Sequence, residues 1–260
     1  MDKLIDLQRY PLDQPTSDAF TALVARCQAD LERDGLFNLP GFLRPGAAAK
    51  AVEALAPKWP DAFTHSRDHN IYFKREVAGL PPDHPALKRF TTINHTLTAD
   101  QLGEGPVLEL YEAPALAEFL AAVMGMPALY PMADPLAGAN VMAYHAGEAL
   151  NWHFDRSEFT TTLLLQAPEQ GGEFEYAQDL RSPDHPNYDD VADLLAGHHS
   201  TRIMPLAPGT LNVFRGRNTA HRVTPVQGDR ARIIAVFSYF DRPGVTMSAA
   251  EQRGFYGREG

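Results

Sequence analysis

The chain has 260 residues, of which 44% are hydrophobic and 22% charged, a composition typical of a globular protein that can bury a core of its own. Its formal net charge of -10 argues against nucleic acid or an anionic membrane surface as a partner, because phosphate groups are bound by basic surfaces. The single cysteine, Cys27, excludes an internal disulfide and a cysteine-based metal cluster, and no signal peptide is recognisable, so we expect a cytoplasmic protein.

The first part of the chain, residues 1–135, has the pattern of helices and loops. Apolar residues at helical spacing follow Ser17 and end at Gly35, which predicts a helix between these two caps. Further helices are predicted over residues 47–56 and 114–123, with a short strand over residues 36–41. Residues 60–106 are rich in Pro, His and Asp, and we expect them to form loops around the mouth of a site.

The second part changes character, because short apolar and β-branched runs alternate with Gly and Pro. These runs are Asn140–Tyr144, Thr160–Gln166, Glu173–Tyr176, Thr201–Leu206, Thr210–Phe214, Arg222–Val226 and Ile233–Phe240. Strands of this length and spacing are typical of a β-sandwich or barrel. We therefore predict one structural domain that is mainly β with a helical N-terminal part: a jelly-roll core over residues 136–245, a helical insertion near residues 188–197, and a C-terminal tail over residues 246–260.

A candidate metal site begins at His153 and Asp155, directly after the first of these strands. Residues two apart in an extended segment point to the same side, so an imidazole and a carboxylate can be presented together. His221, at the end of a strand–turn–strand pattern, can supply a third ligand. Two imidazoles and one carboxylate on one face of an iron(II) ion leave three positions open for substrates, although the same ligands also bind Mn(II) or Zn(II).

Two arginines follow His221 on the next predicted strand. Arg230 and Arg232 are two residues apart and share a face, so either can point into the barrel. A planar guanidinium suits a carboxylate because it donates two parallel hydrogen bonds. An arginine at the head of an apolar strand needs an anion, and an anionic cosubstrate or an ion pair at the barrel rim would each provide one.

This series of residues resembles the Fe(II)/2-oxoglutarate-dependent dioxygenase superfamily, whose core is a double-stranded β-helix of the jelly-roll, cupin-like kind. The resemblance runs from about residue 140 to residue 240 and rests on the His-x-Asp pair, the distant His221 and the basic residue after it. It implies Fe(II) and 2-oxoglutarate as cofactors, with O2 as cosubstrate. It also implies that Arg230, rather than Arg232, binds 2-oxoglutarate, together with Tyr144 ahead of the His-x-Asp pair.

A narrower resemblance is to the bacterial group that contains free-amino-acid hydroxylases and amino-acid halogenases. The segments that carry it are Asn151–Asp155, Gly172–Tyr176, His221–Val226 and Phe255–Arg258. The halogenases of this group have a small residue in place of the ligand carboxylate, which leaves a metal position for chloride. Asp155 occupies that place here, so the resemblance implies hydroxylation rather than halogenation.

The predicted function is hydroxylation of an unactivated C–H bond of a small polar metabolite, a free amino acid by resemblance, with release of succinate and CO2. Substrate contacts are expected from Arg75, Asp134, Asn151 and Ser238, of which Asp134 is a candidate for binding an amine. Further candidates for binding a carboxylate, besides Arg75, are Arg67, Lys74, Asn94 and His95. Two alternatives remain open: a non-catalytic sensor of 2-oxoglutarate or another metabolite, and a cupin-like enzyme that uses a different metal.

Overall fold

The computed structural model describes residues 1–260 and contains helices mainly in the first half and strands mainly in the second. The α-helices are α1 Asp18–Asp34, α2 Ala47–Leu55, α3 Ala99–Leu102, α4 Pro106–Tyr111, α5 Pro114–Met124, α6 Tyr188–Ala196 and α7 Ala249–Tyr256. None of these helices combines the length and apolarity that crossing a membrane would require.

The chain also contains fifteen strands, several of them only two residues long. They are β1 Leu36–Leu39, β2 Phe63–His69, β3 Phe90–Leu97, β4 Tyr130–Pro131, β5 Ala139–Tyr144, β6 Leu150–His153, β7 Thr160–Gln166, β8 Gln170–Gly171, β9 Phe174–Ala177, β10 Arg202–Met204, β11 Leu211–Phe214, β12 Ala220–Val223, β13 Val226–Gln227, β14 Arg232–Phe237 and β15 Tyr239–Phe240.

Most strands belong to two sheets that lie face to face. The larger sheet has the order β1-β11-β7-β14-β5-β3-β2, and the smaller sheet has the order β10-β9-β12-β6. Every pairing within them is antiparallel. The ring of Phe214 in the larger sheet lies 4.9 Å from that of Phe174 in the smaller, which joins the two inner faces. The predicted jelly-roll class is confirmed.

The outer face of the larger sheet is covered by the N-terminal helices. Alternate residues of its strands, such as Val141, Leu163 and Val213, are buried in one apolar cluster with side chains of α1, α2 and α5. Helix α1 begins at Ser17, whose hydroxyl accepts the amide of Phe20, and ends at Gly35 in the left-handed conformation, as the sequence predicts.

The outer face of the smaller sheet has its own cover. Trp152 and Phe154, which flank His153 in sequence and point away from it, pack with Val191 and Leu194 of α6 in a second apolar cluster. The predicted insertion helix over residues 188–197 is therefore present, and its function in the fold is to bury this face.

Two segments differ from the sequence-based expectation. Residues 60–106 are not only loops, because β2 and β3 extend the larger sheet by two strands. Their alternation is between polar side chains, such as His65 and Asn94 on one face, so the usual apolar signal of a strand is missing. The C-terminal tail contains α7, which begins with a capping box between Ser248 and Glu251.

Candidate functional site

His153, Asp155 and His221 come together between the two sheets. Each offers one ligand atom, and the three atoms all lie within 4.8 Å of one another. The two histidines face each other because β6 and β12 are antiparallel neighbours with His221 opposite His153. Asp155 follows two residues after His153, and its carboxylate oxygens lie 3.4 Å from Nε2 of each imidazole.

Backbone carbonyl groups fix the orientation of both imidazole rings. Nδ1 of His153 donates to the carbonyl of Asn151 at 2.8 Å, and Nδ1 of His221 donates to the carbonyl of Thr219 at 3.0 Å. A carbonyl oxygen only accepts, so each Nδ1 carries the proton and each Nε2 presents a lone pair toward Asp155. This is the tautomer that a metal ligand requires.

The carboxylate of Asp155 is also held by the protein. Its amide donates to the carbonyl of Gly216 at 2.9 Å, and the hydroxyl of Thr160 donates to Oδ2 at 2.5 Å. A β-carbon at position 216 would overlap the carboxylate, so only glycine allows this approach. Nothing in the sequence marked Thr160 or Gly216, because their importance arises from contacts between strands.

The charges of the three residues favour metal binding. Burial lowers the pKa of His153, and the neighbouring His221 lowers it further. Burial alone would raise the pKa of Asp155, but the neighbouring His221 and His153 hold it well below its usual value. The site therefore offers an ionised carboxylate beside a neutral imidazole, which are the protonation states that bind a divalent cation.

Arg232 is a buried cation at the start of β14 and lies opposite Tyr144 of β5. Its side chain is 1% exposed; Nε donates to the carbonyl of Gly172 at 3.0 Å, and Nη1 has no partner. Burial lowers the pKa of Arg232 to about 10 and raises that of Tyr144 to about 12. A β-carbon on Gly172, whose φ is +61°, would lie 3.0 Å from Cδ of Arg232, so this glycine makes room for the arginine.

Arg230 has a different position from the one that the resemblance implies. Its side chain is exposed, and Nη2 donates to the carbonyl of Pro168 at 3.1 Å. It precedes β14 in the turn after β13, where the chain is not yet extended, so it does not share a face with Arg232. The preference for Arg230 as the carboxylate-binding residue does not fit this geometry, whereas Arg232 does.

The four residues that were expected to contact the substrate differ in burial and in hydrogen bonding. Arg75 is exposed and makes no hydrogen bond within the chain. Asn151 is half-buried, and its amide donates to the carbonyl of Thr91 at 2.8 Å, which links β6 to β3. Ser238 is half-buried between β14 and β15, and its hydroxyl has no partner in the chain.

Asp134 is a structural residue rather than a free carboxylate for an amine. It is 4% exposed and accepts the amides of Leu136, Ala137 and Met247 and the side-chain amide of Gln252. The bonds from Met247 and Gln252 attach the C-terminal tail to the loop before β5. The carboxylate has its full set of donors, so the expected contact with a substrate amine does not fit the structure.

The family model described as halogenase D matches residues 83–253, which include the three clustered residues and Arg232. The chain belongs to the halogenase D family. No curated protein sequence matches this family member significantly. The matched residues cover the whole jelly-roll core but begin after β2.

Solved structures with the same fold include enzymes described as dependent on 2-oxoglutarate. The epimerase SnoN from nogalamycin biosynthesis has 19% identity and a TM-score of 0.57, over 85% of this chain and 82% of that chain. A 2OG-Fe(II) oxygenase from Burkholderia pseudomallei has 16% identity and a TM-score of 0.52, over 85% and 92%. EctD from S. alaskensis, with 2-oxoglutarate and 5-hydroxyectoine, has 18% identity and a TM-score of 0.53, over 83% and 75%.

The family model and the shared fold together confirm the prediction of an enzyme of the Fe(II)/2-oxoglutarate-dependent dioxygenase superfamily, and His153, Asp155 and His221 are arranged to hold a metal ion. The named reactions of its structural neighbours differ from one another, since they include an epimerase, a carbocyclase and a prolyl hydroxylase. The fold therefore leaves the substrate and the reaction type to be argued from the residues.

Proposed function

We propose that this enzyme hydroxylates a small polar metabolite, with a free amino acid as the first candidate, at an Fe(II) centre held by His153, Asp155 and His221. The observation that carries the proposal is a buried arginine with an unpartnered nitrogen, Arg232, beside a complete set of two imidazoles and one carboxylate. The buried arginine needs an anion, and the set of two imidazoles and one carboxylate needs a cation. A metal ion with a keto-acid cosubstrate satisfies both.

The residues present fit this pair of cofactors. Two imidazoles and one carboxylate suit Fe(II), and their grouping leaves coordination positions for other molecules. The unpartnered Nη1 of Arg232 lacks any acidic partner within the chain, and a buried cation without a counterion is costly. The distal carboxylate of 2-oxoglutarate would be that counterion, and the phenol of Tyr144 on the neighbouring strand would be its second donor.

When bound, Fe(II) with 2-oxoglutarate and O2 supplies the oxidising power that C–H hydroxylation requires, with succinate and CO2 as coproducts. The chain supplies geometry for this reaction. Asn151 and Thr219 hold the imidazoles through their carbonyls, while Thr160 and Gly216 hold Asp155. Arg232 would orient the cosubstrate from one side.

Hydroxylation is favoured over halogenation although the family carries the name of a halogenase. A halogenating centre of this type needs a metal position that is free of the protein carboxylate, and Asp155 fills that position here. Both Thr160 and Gly216 are arranged around the carboxylate, so it is an integral part of the site. The family match therefore shows the family of the chain, and Asp155 supports hydroxylation as its reaction.

One set of measurements tests the proposal against its alternatives. Protein loaded anaerobically with Fe(II) should give a weak visible charge-transfer band on addition of 2-oxoglutarate, and O2 with a substrate should then release succinate. The substrate is sought by screening amino acids and related metabolites for stimulated succinate release and a product heavier by one oxygen. A sensor would give the band without substrate-stimulated succinate, and an enzyme of another metal would give neither.

A further inference from the structure

A tight turn after β2 places an aromatic ring at the metal site. Phe73 has a φ of +54°, a left-handed conformation that is costly for a residue with a β-carbon and a bulky side chain. The buried side chain of Asn70 maintains it: Oδ1 accepts the amides of Tyr72 and Lys74, and Nδ2 donates to the carbonyl of Lys74 at 2.6 Å. The turn is therefore built to fix the direction of Phe73.

The ring of Phe73 touches the metal site directly. It stacks on His69 at 4.6 Å and meets the ring of His153 edge-on at 5.9 Å. His69 is itself fixed, because Nε2 is bonded to the hydroxyl of Thr92 and Nδ1 to the carbonyl of Asn70. Although the ring of Phe73 contacts His69 and His153, Phe73 is 36% exposed. Part of an apolar ring beside a proposed iron ligand is therefore open to solvent.

Arg67 completes this surface. Its guanidinium carbon lies 5.4 Å from the centre of the Phe73 ring, within cation–π distance. The side chain is half-buried and makes neither a hydrogen bond nor a salt bridge within the chain. The residues paired with or beside it on the same face of β2 and β3 are His65, His69 and Thr92, none of which is acidic. In a chain with a net charge of -10, a half-buried arginine without an acidic partner is notable.

We infer that Arg67 and Phe73 form the substrate subsite of the proposed hydroxylase, with Arg67 binding a carboxylate of the substrate and Phe73 packing against its hydrocarbon part. This inference rests on the proposed function. The guanidinium can bind a carboxylate through two parallel hydrogen bonds, and the adjacent ring limits the position of the attached carbon chain beside His153. The substrate class is therefore a small carboxylic acid with an apolar segment. Both residues precede the segment matched by the family model.

Equilibrium dialysis tests the subsite without depending on turnover. Protein loaded anaerobically with Fe(II) and 2-oxoglutarate is dialysed against the common L-amino acids and their primary amides, and bound compounds are quantified by mass spectrometry. We expect at least one acid to bind and its amide to bind at least about 10-fold more weakly, because the amide cannot form the charge-assisted pair. Equal binding of acid and amide, or no bound acid at all, would overturn the inference.

Three variants assign the binding to residues. Arg67→Met should weaken binding of that acid by about 10- to 100-fold, and Phe73→Ala by roughly 10-fold through lost packing. Arg33→Met removes an exposed arginine of α1, the helix that covers the outer face of the larger sheet, and should leave binding unchanged. Wild-type affinity in Arg67→Met, or an equal loss in Arg33→Met, would contradict the assignment.

The visible band with 2-oxoglutarate separates this inference from the proposed function. It should persist in Arg67→Met and Phe73→Ala with unchanged 2-oxoglutarate affinity, and both variants should keep the melting temperature of the wild type within a few degrees. Loss of the band in Arg67→Met would make Arg67 a cosubstrate or structural residue and overturn the inference. Absence of the band in the wild type would overturn the proposed function itself.

Discussion

The metal site differs in construction from the region that carries Arg67 and Phe73, here called the mouth. At the metal site, backbone carbonyls fix the imidazoles of His153 and His221, and the hydroxyl of Thr160 holds the carboxylate of Asp155. At the mouth, Arg67 lacks a partner, and Phe73 is held in an unfavourable conformation and partly exposed. If the proposed subsite is correct, the jelly roll fixes the chemistry, whereas the preceding strands and turn select the substrate.

Arg232 lies between these two extremes. It is as deeply buried as the metal site, yet Nη1 lacks a partner, as Arg67 does. Burying an unpaired guanidinium costs stability, so the ligand-free protein tolerates a cost that binding of an anion would remove. Substitutions at the metal site, at Arg232 and at the mouth should therefore affect different quantities: succinate formation, 2-oxoglutarate affinity and substrate affinity, respectively.

The largest effect is expected at the metal site. Asp155→Gly removes the only anionic ligand of the proposed centre, and 2-oxoglutarate-dependent succinate formation should fall by at least about 1,000-fold. Asp184→Gly, which removes an exposed acid, is the control and should behave as wild type. The variant also opens the position that halogenases leave free, so products should be analysed for chlorine in chloride buffer. Undiminished hydroxylation in Asp155→Gly would show that Asp155 is not a ligand.

The second prediction concerns the two neighbouring arginines. Arg232→Met should weaken 2-oxoglutarate binding by about 100-fold, because a desolvated charge-assisted pair is lost. Arg230→Met should change it by less than about twofold, because Arg230 is exposed and bonded only to a carbonyl group. Anaerobic titration of the visible band measures both affinities. The opposite ranking would return the role to Arg230 and leave the buried guanidinium of Arg232 without an explanation.

Helices and strands were predictable from the sequence where they bury an apolar face. Helix α1 and strands β7 and β11 bury one or both faces, so apolar periodicity and Gly at the ends define them. Strands β2 and β3 were missed because several of their buried residues, such as His69, Thr92 and Asn94, are polar, and in sequence these look like the residues of a loop. The strands nearest the proposed subsite were thus the hardest to recognise.

The site followed the same rule. His153, Asp155 and His221 were predictable because few residue types bind a divalent metal ion at strand spacing, and the fold brings them within 4.8 Å. The choice between Arg230 and Arg232 required the first residue of β14, which the sequence defines only to within a residue or two. Asp134 looked like a substrate contact because nothing in its neighbourhood reveals a partner more than a hundred residues away.

The third prediction separates the structural role of Asp134 from the substrate role that its sequence suggested. Asp134→Ala leaves four buried donors without an acceptor and should destabilise the protein by about 3 kcal/mol, which lowers the melting temperature by about 5–10 °C. The affinity for 2-oxoglutarate should not change. Asp184→Ala serves as the exposed control. An unchanged melting temperature combined with lost substrate binding would restore the substrate role.

The same variant predicts a pH dependence with a definite sign. Burial alone would raise the pKa of Asp134, but the four donors hold it below its usual value. A carboxylate with a depressed pKa stabilises the folded state at pH values above its unfolded pKa, and this contribution is lost as the pH falls. The difference in melting temperature between wild type and Asp134→Ala should therefore be full at neutral pH and shrink below about pH 4.

The smallest effect is expected from the hydroxyl that supports the metal-binding carboxylate. Thr160→Val removes the hydrogen bond to Oδ2 of Asp155 and should lower Fe(II) affinity by roughly 10-fold, measured by competition with a chelator, while 2-oxoglutarate affinity at saturating iron stays unchanged. Thr161→Val is a matched control, because the adjacent threonine points to the opposite face of β7. Thr160→Ser should keep the wild-type affinity, since it retains the hydroxyl. Equal losses in the two valine variants would mean that strand packing, rather than support of Asp155, sets the affinity.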